Sequence, residues 1–334
     1  MKKFLATAAI ATLGMGFGTS AMAQEDCGEI TMAEFNWASG ELLANVDKFI
    51  LEEGFGCSVE LIIGGTAPIF ASMNEKGVPQ IAGEQWVNGV RTLVDEALAE
   101  GRLYAVNRGP IEGLGEGWWV PSYTLEANPE IKTVLDLIER PDLFPFAEDA
   151  SLGAFVGCPA GWGCQQINIS LFEAFDMEAK GWTLVDPGSA AGLDGSIAKA
   201  NERNENWFGY YWSPTALIGK YNMVQVPFGV DYAGDEAWNG CITQAGCENP
   251  PQSSWVKSEV FTIVTPDFME NGGEINDYLA ARVYPGAVMG SMLVYMSDEQ
   301  AEGSDAAIEF LERYEDVWTQ WVSPEVAARV KAAL

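Results

Sequence analysis

From Glu29 to Asn36 apolar and polar residues alternate with period two, which predicts a β-strand. The period then lengthens. Leu42, Leu43, Val46, Phe49 and Ile50 recur at helical spacing behind Ser39, a residue type that caps helices, and Gly54 is expected to end this helix. Ser58 to Ile63 reads as a second strand and Thr66 as the cap of a short helix through Met73. Pro79 to Gly83 leads a third strand towards Trp86. Strand, helix, strand, helix, strand predicts an α/β lobe with a mainly parallel sheet. In such a sheet ligands sit in the crevice at the carboxyl ends of the strands, and both Trp37 and Trp86 follow a predicted strand at that end. Residues 119–255 carry their own strands and turns and read as a second lobe. Beyond them Val260 to Val264 predicts a strand. Ala306 to Val322 predicts one amphipathic helix with Ile308, Leu311, Val317, Trp318 and Trp321 on its apolar face. Both are expected to return to the first lobe, which then comprises 24–118 plus 256–334.

The start of the chain has a different pattern. Lys2 and Lys3, an apolar stretch from Phe4 to Phe17 and the sequence Ala21-Met22-Ala23 read as a secretory signal over 1–23, with the mature chain starting at Gln24. No lipobox precedes Cys27, and no later apolar run reaches the roughly 18 to 20 residues of a spanning helix. A soluble periplasmic protein is the expectation. Six cysteines in an oxidising compartment predict disulfides. Spacing suggests Cys158–Cys164 and Cys241–Cys247 as local loops and Cys27–Cys57 as a longer one, which is one of 15 possible pairings.

Charge and composition narrow the chemistry. With 334 residues the chain is longer than one core usually holds, and 48% hydrophobic content excludes disorder. Eighteen basic against 48 acidic residues give a net charge of −30, which repels nucleic acid and anionic lipid and leaves small cations as plausible ligands. The chain has no histidine, so imidazole triads and His-ligated zinc are excluded. No metal or cofactor is expected. The acids from Asp142 to Asp149 lack the D-x-[DN]-x-[DN]-G calcium pattern. Gly113-Leu114-Gly115-Glu116-Gly117 imitates part of a dinucleotide fingerprint, but its glycines are wrongly spaced and it runs into Trp118-Trp119, so a turn or hinge is the better reading.

Twelve tryptophans remain to be explained. Trp318 and Trp321 read as core, while Trp182, Trp207, Trp238 and Trp255 have no clear context. Trp162 differs, because it stands in Gly157-Cys158-Pro159-Ala160-Gly161-Trp162-Gly163-Cys164, where Gly, Pro and a disulfide would fix the indole and leave backbone N–H groups approachable. This segment resembles the G-C-x-x-G-W-G-C loop of periplasmic binding proteins of ABC importers for glycine betaine, proline betaine and related methylated ammonium compounds. Gly209-Tyr210-Tyr211-Trp212-Ser213-Pro214 is similar to that family's aromatic-Trp-[ST]-Pro segment. Val224-Gln225-Val226-Pro227-Phe228 and the position of Trp86 extend the likeness over nearly the whole mature chain.

The resemblance implies a two-lobed, type II-like periplasmic binding protein with its ligand in the interlobe cleft and a membrane permease as partner, acting as a monomer and making no bond. It implies a cage of Trp86, Trp162 and Trp212, with the ligand carboxylate held by the N–H groups of Gly163 and Cys164. Trp37 and Trp119 are further cage candidates. The physics agrees: a trimethylammonium head has no N–H to donate, and indole faces attract it by roughly 0.5 to 2 kcal/mol each. One branch of the family adds a histidine four residues after the early cage Trp, where this chain has Val90. Glu84, two residues before Trp86 on the same strand face, is instead expected to point into the cleft, which opens choline and trimethylamine N-oxide beside glycine betaine. The alternatives are a receptor for an amino acid or other small solute, which would need a clamping arginine absent from the three cage segments, and a secreted carboxylate-based hydrolase.

Overall fold

The computed structural model describes residues 27–334; the expected signal segment and its cleavage site lie outside them. Two five-stranded sheets organise the chain. The first contains β1 (Glu29–Phe35), β2 (Ser58–Gly64), β3 (Ile81–Trp86), β4 (Tyr104–Asn107) and, from far later in sequence, the strand Val260–Val264, in the order β2-β1-β3-(260–264)-β4. The second takes β5 (Gly115–Pro121), β6 (Gly153–Val156), β7 (Trp182–Val185), β8 (Gly209–Ser213) and β9 (Met223–Gln225) in the order β7-β6-β8-β5-β9. The strand Val260–Val264 is then β10. Helices flank both sheets, giving a two-lobed α/β protein.

Each sheet has one reversed strand. β10 runs antiparallel to β3 and β4, and β5 runs antiparallel to β8 and β9, whereas β1 pairs in parallel with β2 and β3, and β6 with β7 and β8. Both reversed strands directly follow a passage of the chain from one lobe to the other. Such a strand starts at the edge where its neighbours end, so its first residues join the carboxyl-end crevice. The expected change of lobe between 118 and 119 falls inside β5, which pairs within the second sheet from Gly115 onward.

Several local expectations are corrected. Ser39 does not cap the first helix, Ala38–Phe49, whose N-cap is Trp37; the Ser39 hydroxyl is instead given to Glu84. That helix runs on past Gly54 as a wider turn over Ile50–Phe55 and stops at Gly56, which adopts φ +77°. Gly54 is a packing glycine, since a Cβ there would lie 2.8 Å from Val326. The helix Thr66–Lys76 is capped by Gly65, leaving the buried Thr66 free to face the cleft. Strand β3 starts at Ile81 rather than Pro79. The expected single helix over 306–322 breaks at Tyr314 into Gly303–Arg313 and Glu315–Trp318, while Trp321 stacks on Phe310 at 5.8 Å and stays in the first lobe's core.

All three disulfides, Cys27–Cys57, Cys158–Cys164 and Cys241–Cys247, are formed. Asp142 pairs with Arg140 and Asp149 accepts from Ser151, so neither acid is arranged to share a cation. Among the described residues no helix is long and apolar enough to cross a membrane.

Candidate functional site

One cavity between the sheets gathers the chemistry. Its walls include Trp37, Trp86, Trp162 and Trp212. Trp37 stands just beyond β1 and Trp86 ends β3, so the first lobe presents two indoles from adjacent parallel strands. Trp212 lies near the end of β8. Trp162 is carried by the disulfide loop, directly before the helix Cys164–Ala174. The rings meet edge to face: Trp37 to Trp162 at 5.1 Å and 73°, and Trp162 to Trp212 at 5.1 Å and 83°. Edge-to-face packing fixes each ring by its neighbour.

Gly163 and Cys164 line the same cavity at the first turn of the helix Cys164–Ala174, where backbone N–H groups lack intrahelical acceptors and the helix dipole favours negative charge. The walls thus combine aromatic faces with an anion-friendly helix start. Among the described lining residues there is no lysine or arginine.

Two expected contributors stand elsewhere. Trp119 does not line the cavity. Along β5 side chains alternate, and since Glu116 pairs with Trp212 on the cavity side, Trp119 falls on the opposite face with Tyr211, whose hydroxyl bonds Asp194. Glu84 is fully buried but sits behind the cage rather than in its wall. Its Oε1 accepts from Trp37 Nε1 at 2.8 Å, Trp86 Nε1 at 2.9 Å and the Ser39 hydroxyl at 2.8 Å. Burial pushes its carboxyl up to about 7, against the opposing pull of the bonds from Trp86, Trp37 and Ser39.

Sequence reasoning missed Tyr210, Glu116, Asn88, Thr66 and Gly89, all in the cavity wall. Tyr210 lies two residues before Trp212 on one strand, so strand alternation was a usable signal; its ring is stacked within 19° of Trp212. Glu116 accepts from the Tyr210 hydroxyl at 3.0 Å, the Ser258 hydroxyl at 3.1 Å and Asn88 Nδ2 at 3.3 Å. Burial pushes this carboxyl, too, up to about 7. Its only signal was one acid in a glycine run. Trp238 and Trp255 form the layer behind Tyr210, with Tyr210 to Trp255 at 5.4 Å and Trp238 to Trp255 at 5.8 Å.

The lobes touch directly around this cavity. Trp162 Nε1 donates to Asn36 Oδ1 at 2.8 Å, Ala67 N–H to the Gly161 carbonyl at 3.2 Å, and Trp238 Nε1 to the Asn88 carbonyl at 3.3 Å. Gly89 faces Gly163 so closely that a Cβ would lie 2.0 Å from its carbonyl oxygen.

Residues 28–313 match the family described as the substrate binding domain of ABC-type glycine betaine transport systems. The chain belongs to this family. Solved structures share the fold at low identity. A glycine betaine/L-proline-binding protein, ProX, from Borrelia burgdorferi superposes with a TM-score of 0.70 at 16% identity, covering 90% of this chain and 99% of that one. A choline-binding protein of an ABC transporter in complex with choline gives 0.73 at 15% identity, covering 92% and 98%. Lactococcal OpuAC, in its closed form with glycine betaine, gives 0.65 at 16% identity, covering 89% and 100%. As in the family at large, the task is to bind a solute for transport.

Proposed function

We propose that the protein is the periplasmic receptor of an ABC importer and captures a compact methylated ammonium solute carrying a negative oxygen, with trimethylamine N-oxide and glycine betaine ahead of choline. The observation that carries this reading is the meeting of four indoles from both lobes on one cavity that has no basic side chain in its wall. Methyl groups bearing diffuse positive charge gain from each indole face by about 0.5 to 2 kcal/mol, and several faces in a water-excluding cavity suffice for micromolar affinity near −8 kcal/mol. A clamping arginine for an amino acid's carboxylate is missing from the wall.

The oxygen preference rests on the other end of the cavity. The N–H groups of Gly163 and Cys164 suit an anionic oxygen, and Glu116, whose neutral form burial favours up to about 7, adds a candidate proton donor to the same wall. Choline offers a hydroxyl rather than a charge there. Closure of the lobes over the solute then presents one rigid outer surface to the membrane permease. The chain acts as a monomer, exported by its N-terminal signal and free in the periplasm.

Titration calorimetry with the three solutes tests this. Saturable one-to-one binding is expected, tighter for trimethylamine N-oxide or glycine betaine than for choline, and Trp162→Ala and Trp212→Ala should each weaken it at least tenfold. No binding of any of the three, or losses within twofold in both variants, would dispose of the cage.

A further inference from the structure

Glu84 is a buried carboxyl that serves two cage rings at once and touches none of the cavity wall's open side. One oxygen accepts from both indole N–H groups and from Ser39, and the other has no hydrogen-bond partner. Resting on the reading that a methylated ammonium head fills the cage, we propose that Glu84 is a positioning residue whose negative charge acts through Trp37 and Trp86 to make the site discriminate a cationic head from its neutral carbon isostere.

Three observations carry this. First, position: Trp37 and Trp86 line the cavity while the carboxylate lies at their N–H edges, so its charge stands one ring away from the ligand in a medium where charges are weakly screened. Second, polarisation: a carboxylate accepting an indole N–H makes a charge-assisted bond and shifts electron density into the ring, and the ring face is what attracts the cation. Third, necessity: aligning two indoles needs only an acceptor, which a glutamine amide oxygen supplies without the several kcal/mol it costs to bury a charge. A carboxylate in this place is explained by its charge.

Of the surrounding charges, Arg282 acts on Glu84 and favours its ionised form, without a hydrogen bond to it. Arg282 is committed to Asp47, to the Gly83 carbonyl at 3.0 Å and to the Thr262 hydroxyl at 2.7 Å. Tyr278 donates to Asp47 at 2.5 Å. Burial raises Tyr278 and Tyr284 well above the ordinary phenol range, and Arg282 stays charged; burial also raises the Asp47 carboxyl against the pull of Arg282, so Glu84 and Asp47 are the two buried acids on this side, and of them only Glu84 bonds the cage indoles. Glu116 is the buried acid across the cavity.

The test uses glycine betaine against 3,3-dimethylbutanoate, in which carbon replaces the nitrogen and the carboxylate is kept, with trimethylamine N-oxide against tert-butanol, whose oxygen also gains a proton, as the second pair. Glu84→Gln keeps an acceptor for both indoles and removes the charge. Affinity for the cationic member is expected to fall about tenfold while that for the isostere stays within twofold. Equal losses in both members, or no loss in either, overturn the proposal. Wild-type titrations come first: if neither cationic solute binds, the cage reading has failed, not the role of Glu84. Should Glu84→Gln not fold, the same split is read in the Glu116→Gln protein by lowering the pH from about 8.5 to about 5.5, which protonates Glu84. The cationic affinity should drop about tenfold against an unchanged isostere, and a constant ratio overturns the proposal.

Discussion

Two carboxyls with the same burial and the same upward push to about 7 are given different work by their neighbours. Glu84 receives indole N–H groups behind the rings of Trp37 and Trp86, where on the proposed function a cation would favour its ionised form. Glu116 shares its wall with the helix start at Gly163 and Cys164, where an anionic ligand oxygen favours its protonated form. Glu116 is protonated below about 7 and ionised above it, so the wild-type affinity for trimethylamine N-oxide, relative to that of Glu116→Gln, is expected to fall several-fold as pH rises from about 6 to 8.5. Calorimetry on both proteins across that range checks it, and a rising ratio would give the carboxylate the opposite role. At this scale the tryptophans were legible and the acids were not. Trp162 is announced by its Gly, Pro and Cys neighbours, and Trp37 and Trp86 by the strands before them. Glu116 had only a glycine run around it, and its facing depends on the reversal of β5, which no local pattern encodes. Register explains Trp119, which stands an odd number of residues from Glu116 and whose aromatic character was visible but whose side of the sheet was not.

At the scale of elements, the cage is built by ends: the ends of β1, β3 and β8, the start of β5, and the start of the helix after the disulfide loop. Ends can be brought together from two lobes only if the backbones approach closely. Gly89 and Gly163 meet backbone to backbone, and Gly65 stands where a Cβ would come within 2.9 Å of the Gly161 carbonyl oxygen. Neither obstacle can move aside as a flexible side chain would. Gly89→Ala should therefore hold the lobes apart, weakening ligand binding at least tenfold and removing the ligand-induced decrease in radius of gyration seen by small-angle scattering, with little change in melting temperature of the free protein. A variant that still contracts normally would show that the contact does not limit closure. The strands and helices themselves were readable from periodicity. Their caps were less so, because of the expected caps Ser39 gives its hydroxyl to the buried Glu84 and Thr66 lines the cavity.

For the whole molecule, acidity has a thermodynamic side. Glu84 and Glu116 have folded-state values raised above the unfolded value near 4.5, so their favourable contribution is complete below that value and is lost as pH rises through about 7. Each accounts for up to about 3 kcal/mol over that interval. Self-repulsion at a net charge of −30 acts in the same direction. The free protein should melt highest near pH 5 and progressively lower towards pH 8, with a shallower slope in the Glu84→Gln/Glu116→Gln double variant. Scanning calorimetry with parallel curves for the two proteins would remove both carboxyls from the account. Two-lobed architecture was legible because length, element order and the late strand at 260–264 all demand it; the sheet orders were not, since each depends on pairings between strands far apart in sequence, those of β10 in the first sheet across more than 150 residues. The place of β10 between β3 and β4 has a consequence for biogenesis. Strands β5 to β9 are contiguous along the chain, whereas the first sheet stays split until residues 260–264 arrive. The half made first from the ribosome is thus the half completed last, because its sheet cannot close before its tail has been made.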